Sequence, residues 1–210
     1  GPIYTTKATI GLCKVVLPDS GYIQEMEVVR KNRKLARSGR PLLEPIYTAE
    51  DAQNCLGLFK SFPYETPFIA APGIRVKFYD AGHILGSAMI EITLEKEGTE
   101  KRIVFTGDIG NTDTAIVEDP TKIKQADLVV MESTYGDRYH LETEDRLAAL
   151  VRVVKETMAK GGNLVIPSFA VERTQDLVYC LKIMKGKKLI PPVDIYIDSP
   201  MAVEATKVFI

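Results

Sequence analysis

The hydrophobic period of this chain changes partway along, and that change limits the folds open to it. In two runs between Ile74 and Leu94 apolar residues recur at every second position. Ile74, Val76 and Phe78 alternate with polar or charged residues. After a loop, Ala88, Ile90, Ile92 and Leu94 alternate again, and Arg102–Thr106 forms a third run beyond the Gly98 turn. Such patterning predicts an antiparallel meander with one face buried, here the face that carries these residues. From Leu128 the order becomes strand, helix, strand, helix, strand, helix, with short links. Leu128–Met131, Leu164–Ile166 and Val193–Ile197 are the expected strands. Residues 143–160 are an expected helix with Leu147, Leu150, Val151, Val154 and Met158 on one face and Gly161 just past its end. Residues 171–185 are another, turning Val171, Leu177, Val178, Leu181 and Met184 inward. Ser199 and Pro200 suit the cap and first position of a third. This alternation predicts a parallel sheet covered by helices.

The chain is therefore α/β in class, with an antiparallel piece at 1–126 and a Rossmann-like parallel piece at 127–210. Ahead of the meander, residues 5–17 form a helical pattern closed by Pro18, and residues 48–60 form a second one opened by a Thr48/Asp51 capping box. The length of 210 residues accommodates one large domain or two modest ones. No apolar run approaches the roughly 20 residues of a membrane span, and no secretory signal is present. Cys13, Cys55 and Cys180 are far apart among apolar neighbours, the usage of a reducing, cytoplasmic compartment.

A net charge of −1 does not announce a nucleic-acid partner. Local charge does more. Arg30, Lys31, Arg33, Lys34, Arg37 and Arg40 cluster before Pro41, either as a solvated helix face or as a substrate-contacting patch. Lys185, Lys187 and Lys188 follow a helix end, where cations suit the dipole.

Chemistry-bearing residues stand at the ends of predicted strands. His83 lies in Asp80-Ala81-Gly82-His83-Ile84-Leu85-Gly86-Ser87, where flanking glycines free the loop of side-chain bulk. Asp108 lies in Phe105-Thr106-Gly107-Asp108-Ile109-Gly110. Each alone is more often an ordinary loop residue. A meander brings both loops to one edge of the sheet, where a histidine and a carboxylate form a donor pair suited to zinc. Glu132, in Met131-Glu132-Ser133-Thr134-Tyr135-Gly136-Asp137-Arg138-Tyr139-His140, directly follows an apolar strand, where α/β sheets place their ligands. Pro167-Ser168-Phe169-Ala170-Val171-Glu172-Arg173 and Asp198-Ser199-Pro200-Met201-Ala202 put hydroxyls and free N–H groups at helix starts, and Ser168, Arg173 and Ser199 are candidate phosphate contacts. Simple capping is the alternative.

In this order the five motifs resemble those of the β-CASP branch of the metallo-β-lactamase superfamily. The resemblance is greatest to bacterial and archaeal RNA-processing members related to the endonuclease subunit of the mRNA 3′-end cleavage complex. It covers nearly the whole chain, and Gly1-Pro2-Ile3-Tyr4 fits the segment after that family's metal-binding loop. The resemblance implies the C-terminal part of an αββα metallo-β-lactamase half followed by the start of a β-CASP domain. It implies His83 as a ligand to one zinc and Asp108 as the bridge between two. Glu132 would then orient a histidine supplied later in the chain. Asp108 and Glu132 are thereby the expected catalytic residues. His140 falls where many members carry histidine, without an assigned role.

The departures are equally specific. The family's His-x-His-x-Asp-His run is absent, and the late histidines of its motifs B and C would follow Ile210. The expected explanation is a piece of a larger active enzyme: a two-zinc ribonuclease acting on single-stranded RNA, with the piece alone inactive. Dimerisation is left open. A homologue that lost its site and serves as an RNA-binding or scaffold subunit is the first alternative, and a β-CASP DNA nuclease the second. An unrelated small-molecule metal hydrolase is disfavoured by the second, Rossmann-like half.

Overall fold

The computed structural model describes residues 1–138 and 145–210, so His140 lies outside the described residues. Strand β1 (Ile3–Thr5) leads into helix α1 (Lys7–Arg37), whose N-cap Thr6 accepts the Thr9 N–H. The helix does not close at Pro18, as the sequence predicts, but runs through it. An interior proline removes a hydrogen bond and crowds the turn before it, at about 3 kcal/mol or more. Packing on both sides of Pro18 offsets this. Leu12 and Gly21 are buried, Gly11 lies against Val208, and Gly21 touches the backbone of Thr48 and Ala49.

Helix α2 (Ala49–Cys55) opens with both arms of the Thr48/Asp51 capping box formed. It ends sooner than the expected residue 60. Leu56–Leu58 tightens into a 3-10 turn, and β2 (Phe59–Ser61) pairs in parallel with β1. The partner strand lies at the very start of the chain, so no local pattern reveals it.

The main sheet has the order β3 (Phe68–Ala71), β4 (Ile74–Asp80), β5 (Ala88–Lys96), β6 (Thr99–Phe105), β7 (Leu128–Val130). β3 to β6 form the antiparallel meander, and β7 adds to β6 in parallel. Phe68, Val76 and Phe78 form one core with Tyr4, Phe62, Ala88 and Ile92 packed against it. Phe62 stacks on Phe68 with ring centroids 3.7 Å apart.

The burial of β5 differs from the alternation expected. Ile90 and Leu94 are each 37% exposed, whereas Met89, Glu91 and Thr93 on the opposite face are buried. Register explains the polar burial. Glu91 sits across from Lys77, and its carboxylate lies 3.8 Å from both Lys77 Nζ and Arg102 Nε and accepts from Tyr79 Oη at 3.2 Å. The stems of long cations cover this face.

The second core lies between helices α3 (Arg146–Ala159) and α4 (Arg173–Gly186). Val154, Leu181, Met184 and Ile190 are buried there, with Leu164 and Val193 packed on them. Residues 164–166 and 193–197, expected as strands, carry no ladder among the described residues. Val165 and Tyr196 are exposed. An apolar run signals burial, and here Leu164 and Val193 satisfy it against helices, while a ladder also requires a neighbouring strand in register. Helix α5 (Pro200–Thr206) has Ser199 as N-cap and Pro200 at its first position, as predicted, and packs on α1. The class is α/β, as read from the sequence.

Met184 is fully buried at the centre of the second core. Truncation there leaves a cavity, and such changes lose about 2–5 kcal/mol. Met184→Ala is expected to lower stability within that range, read from the shift of the denaturant midpoint at unchanged slope. The basic cluster occupies the far end of α1, with Lys31 paired to Glu27 at 3.3 Å and Arg30, Arg33, Lys34, Arg37 and Arg40 exposed. Beyond α4, Lys185 Nζ donates to Val193 O at 2.9 Å. Among the described residues no helix is long and apolar enough to cross a membrane.

Candidate functional site

Three loops meet at one end of the main sheet. The first leaves β4 at Asp80 and returns at Ala88, carrying His83. The second follows β6 and carries Asp108. The third follows β7 and carries Glu132. Backbone chemistry determines how they sit together.

Within the first loop, Asp80 accepts the Gly82 N–H at 2.8 Å. Burial raises the Asp80 carboxyl above its usual range, against that hydrogen bond. Ser87 Oγ accepts the N–H groups of His83 and Ile84 at 3.1 and 3.3 Å. Gly86 adopts φ +82°, and a Cβ there would approach the Thr9 nitrogen to 2.7 Å. This closeness lets the Thr6 and Thr9 hydroxyls both donate to Gly86 O at 2.9 Å. The start of α1 thus clamps the loop. Tyr64 Oη donates to Ser87 O at 2.8 Å. Burial, with Asp80 nearby, pushes the Tyr64 phenol up to about 12, which keeps its proton for that bond.

The second and third loops are tied to the first and to each other. Gly110 N donates to Ala81 O at 2.8 Å. Glu132 N donates to Thr106 Oγ1 at 3.2 Å, and Ile109 N donates to Glu132 Oε1 at 2.5 Å. The Ile109 amide, then Thr134, hold the Glu132 carboxyl below its ordinary value, so it is an anion and a hydrogen-bond acceptor at neutral pH.

These ties bring His83 Nε2 to 3.8 Å from Asp108 Oδ2, with the side chains 43% and 70% exposed. An imidazole and a carboxylate at this spacing fit a shared zinc, since bonds of about 2.0–2.2 Å from each donor reach an ion between them. Among the described residues no group of three His, Cys, Asp or Glu side chains gathers as a metal site.

The other candidates have contacts of their own. Ser168 Oγ donates to Ile166 O at 3.3 Å, Arg173 Nη1 lies 3.6 Å from Asp176 Oδ2, and the Ser199 side chain caps Ala202 N at 3.2 Å. Gln175, absent from the sequence-based candidates, is buried and donates to Ala170 O and Thr206 Oγ1, joining the start of α4 to α5.

Glu172 was also missed by sequence reasoning. It is the N-cap residue of α4 at φ 68° and ψ −63°, and its side chain makes no cap bond. Its Oε2 instead accepts the Leu85 N–H of the histidine loop at 2.9 Å. Burial raises its carboxyl above the usual range, partly opposed by that bond. The only sequence signal was its place in the Ala170–Arg173 turn, where an acidic residue is easily read as a helix-start anion.

No protein-family model matches the chain. Curated relatives do. Ribonuclease TTHA0252 of Thermus thermophilus is 33% identical over 202 residues, covering 96% of this chain and 41% of the relative. Transcription termination factor FttA of Thermococcus kodakarensis is 31% identical over 185 residues, covering 87% of this chain and 26% of the relative. Endoribonuclease YSH1 of Gibberella zeae is 31% identical over 190 residues, covering 89% and 21%. The chain thus spans less than half the length of each. Relatives of three such kinds along most of the chain, together with the ordered loop motifs now seen at one sheet end, identify it: the chain belongs to the β-CASP metallo-β-lactamase family of RNA-processing nucleases.

Proposed function

We propose that these residues are part of a zinc-dependent ribonuclease that hydrolyses RNA phosphodiester bonds by a two-metal mechanism. The observation that carries this reading is the convergence of His83 and Asp108 at 3.8 Å, beside an ionised Glu132. Relatives named as ribonucleases support the hydrolase reading. Residues 1–126 would belong to the metallo-β-lactamase half and 127–210 to the β-CASP half.

His83 would offer an imidazole nitrogen to one zinc, and Asp108 a carboxylate to both. The zinc pair, when bound, supplies an activated water and a clamp on the phosphate. Glu132 would orient a proton-donating histidine contributed from outside these residues, as a carboxylate fixes an imidazole's tautomer. Ser168 and Arg173 would contact phosphates of a single-stranded RNA. The Ser199 hydroxyl, engaged as a cap, would leave that role to neighbouring N–H groups.

The test compares the full-length protein with residues 1–210 alone. Full-length protein should carry two chelator-sensitive zinc ions and cleave labelled RNA. A catalytic zinc normally takes three protein ligands, so the 210-residue chain should bind zinc weakly and leave RNA intact. Metal analysis and a gel cleavage assay read both. Full-length protein that holds zinc yet leaves RNA intact would point to a non-catalytic RNA-binding homologue. Chelator-resistant stoichiometric zinc in the short chain would overturn the ligand assignment.

A further inference from the structure

Residue 172 occupies a backbone position unsuited to glutamate. Its φ of 68° and ψ of −63°, with Arg173 N donating to Val171 O at 3.0 Å, define a γ-turn of the strained type. Glycine adopts such positive φ without steric penalty, whereas other residues hold it at a cost when surrounding structure demands it. The position is also a helix N-cap, where Ser, Thr, Asp or Asn would satisfy an orphan N–H. Glu172 serves neither local purpose. Its carboxylate extends to a loop 87 residues earlier in the chain and accepts the Leu85 N–H.

That amide is one that the rest of the histidine loop does not satisfy. His83 N and Ile84 N both go to Ser87 Oγ. Ser87 N goes to Ile84 O. Gly86 O is held by Thr6 and Thr9. Leu85 lies two residues beyond His83, so an acceptor on its N–H sets where the His83 end of the loop rests. The neighbour of Glu172 is Arg173, whose side chain is 60% exposed and whose helix begins there.

We infer that Glu172 is a positioning residue: its carboxylate fastens the His83 loop to the first turn of α4 and so holds the imidazole in register with Asp108. The inference rests on the proposed reading of His83 and Asp108 as one site. The strained turn keeps the carboxylate aimed at Leu85, and a relaxed turn would let it swing to solvent.

Two variants of the full-length protein test this. Glu172→Gly accepts the turn without strain and deletes the acceptor. Glu172→Gln keeps an oxygen acceptor of nearly the same reach. Amide hydrogen exchange over residues 82–87 and single-turnover RNA cleavage are the readouts. Glu172→Gly should keep a near-parental unfolding midpoint. Its Leu85 segment should exchange faster, and its cleavage rate should fall about 10- to 100-fold with KM little changed, the scale of one charge-assisted hydrogen bond. Glu172→Gln, a neutral acceptor, should restore part of both. Parental exchange in Glu172→Gly would overturn the inference, and so would equal losses in the two variants. If even the unaltered protein leaves RNA uncut, the nuclease reading fails, while the exchange comparison still decides whether Glu172 holds the loop.

Discussion

Asp108→Asn in the full-length protein is expected to reduce RNA cleavage far more than Ser168→Ala. Asparagine keeps the shape of aspartate and removes its charge. In the proposed site that charge serves both zinc ions, so metal content should fall along with rate. Ser168 offers at most one hydrogen bond to a phosphate, worth about 1.5–3 kcal/mol. That corresponds to roughly one to two powers of ten in rate. The structure points to less, because Ser168 Oγ is exposed and bonded to Ile166 O at 3.3 Å, whereas Asp108 faces His83 directly. Single-turnover cleavage with both variants, alongside metal analysis, gives the ranking. An Asp108→Asn protein with full zinc content and near-parental rate would remove the metal assignment from this pair.

Gly110→Ala should be damaging for a change of one methyl group. A Cβ at Gly110 would lie 1.6 Å from Gly82 O, 2.1 Å from Gly82 C and 2.6 Å from His83 N. All three are backbone atoms that no rotamer change can move aside. Accommodation requires the Asp108 loop to separate from the His83 loop, breaking the 2.8 Å bond from Gly110 N to Ala81 O. Overpacking generally costs about 1–3 kcal/mol, and the upper end applies where only backbone can yield. For a chain of this size that lowers Tm by roughly 6–12 °C. Gly57→Ala is the control, since nothing lies within 4 Å of its Cβ position. Calorimetry on both variants compares them. In the active protein Gly110→Ala should also lower cleavage, because the same displacement pulls Asp108 from His83. Parental stability and activity in Gly110→Ala would show that the two loops are not locked as described.

Much of this molecule follows from local rules acting on short stretches. The alternation over Ile74–Phe78 and Ala88–Leu94 specified the central strands of the meander, because a strand's side chains change face at each residue. Thr48 with Asp51, and Ser199 with Pro200, marked helix starts because their side chains and ring satisfy requirements within one turn. The loop positions of His83, Asp108 and Glu132 were legible for the same reason: each follows a recognisable strand.

What the tertiary structure alone decided depends on neighbours distant in the chain. Pro18 reads locally as a helix end, yet α1 continues because α2 and α5 pack along it. The burial of Glu91 in β5 follows from the cations beside it on neighbouring strands, not from the strand's own alternation. Residues 164–166 and 193–197 have strand composition without a ladder, since hydrogen-bonded pairing needs a second strand at a definite register. Most telling is Glu172, which sequence spacing cannot relate to Leu85. The sequence by itself determined which loops carry His83, Asp108 and Glu132 and in what order. Only the fold determined that those loops touch, because bringing an amide and a carboxylate 87 positions apart to 2.9 Å depends on the packing of every element between them.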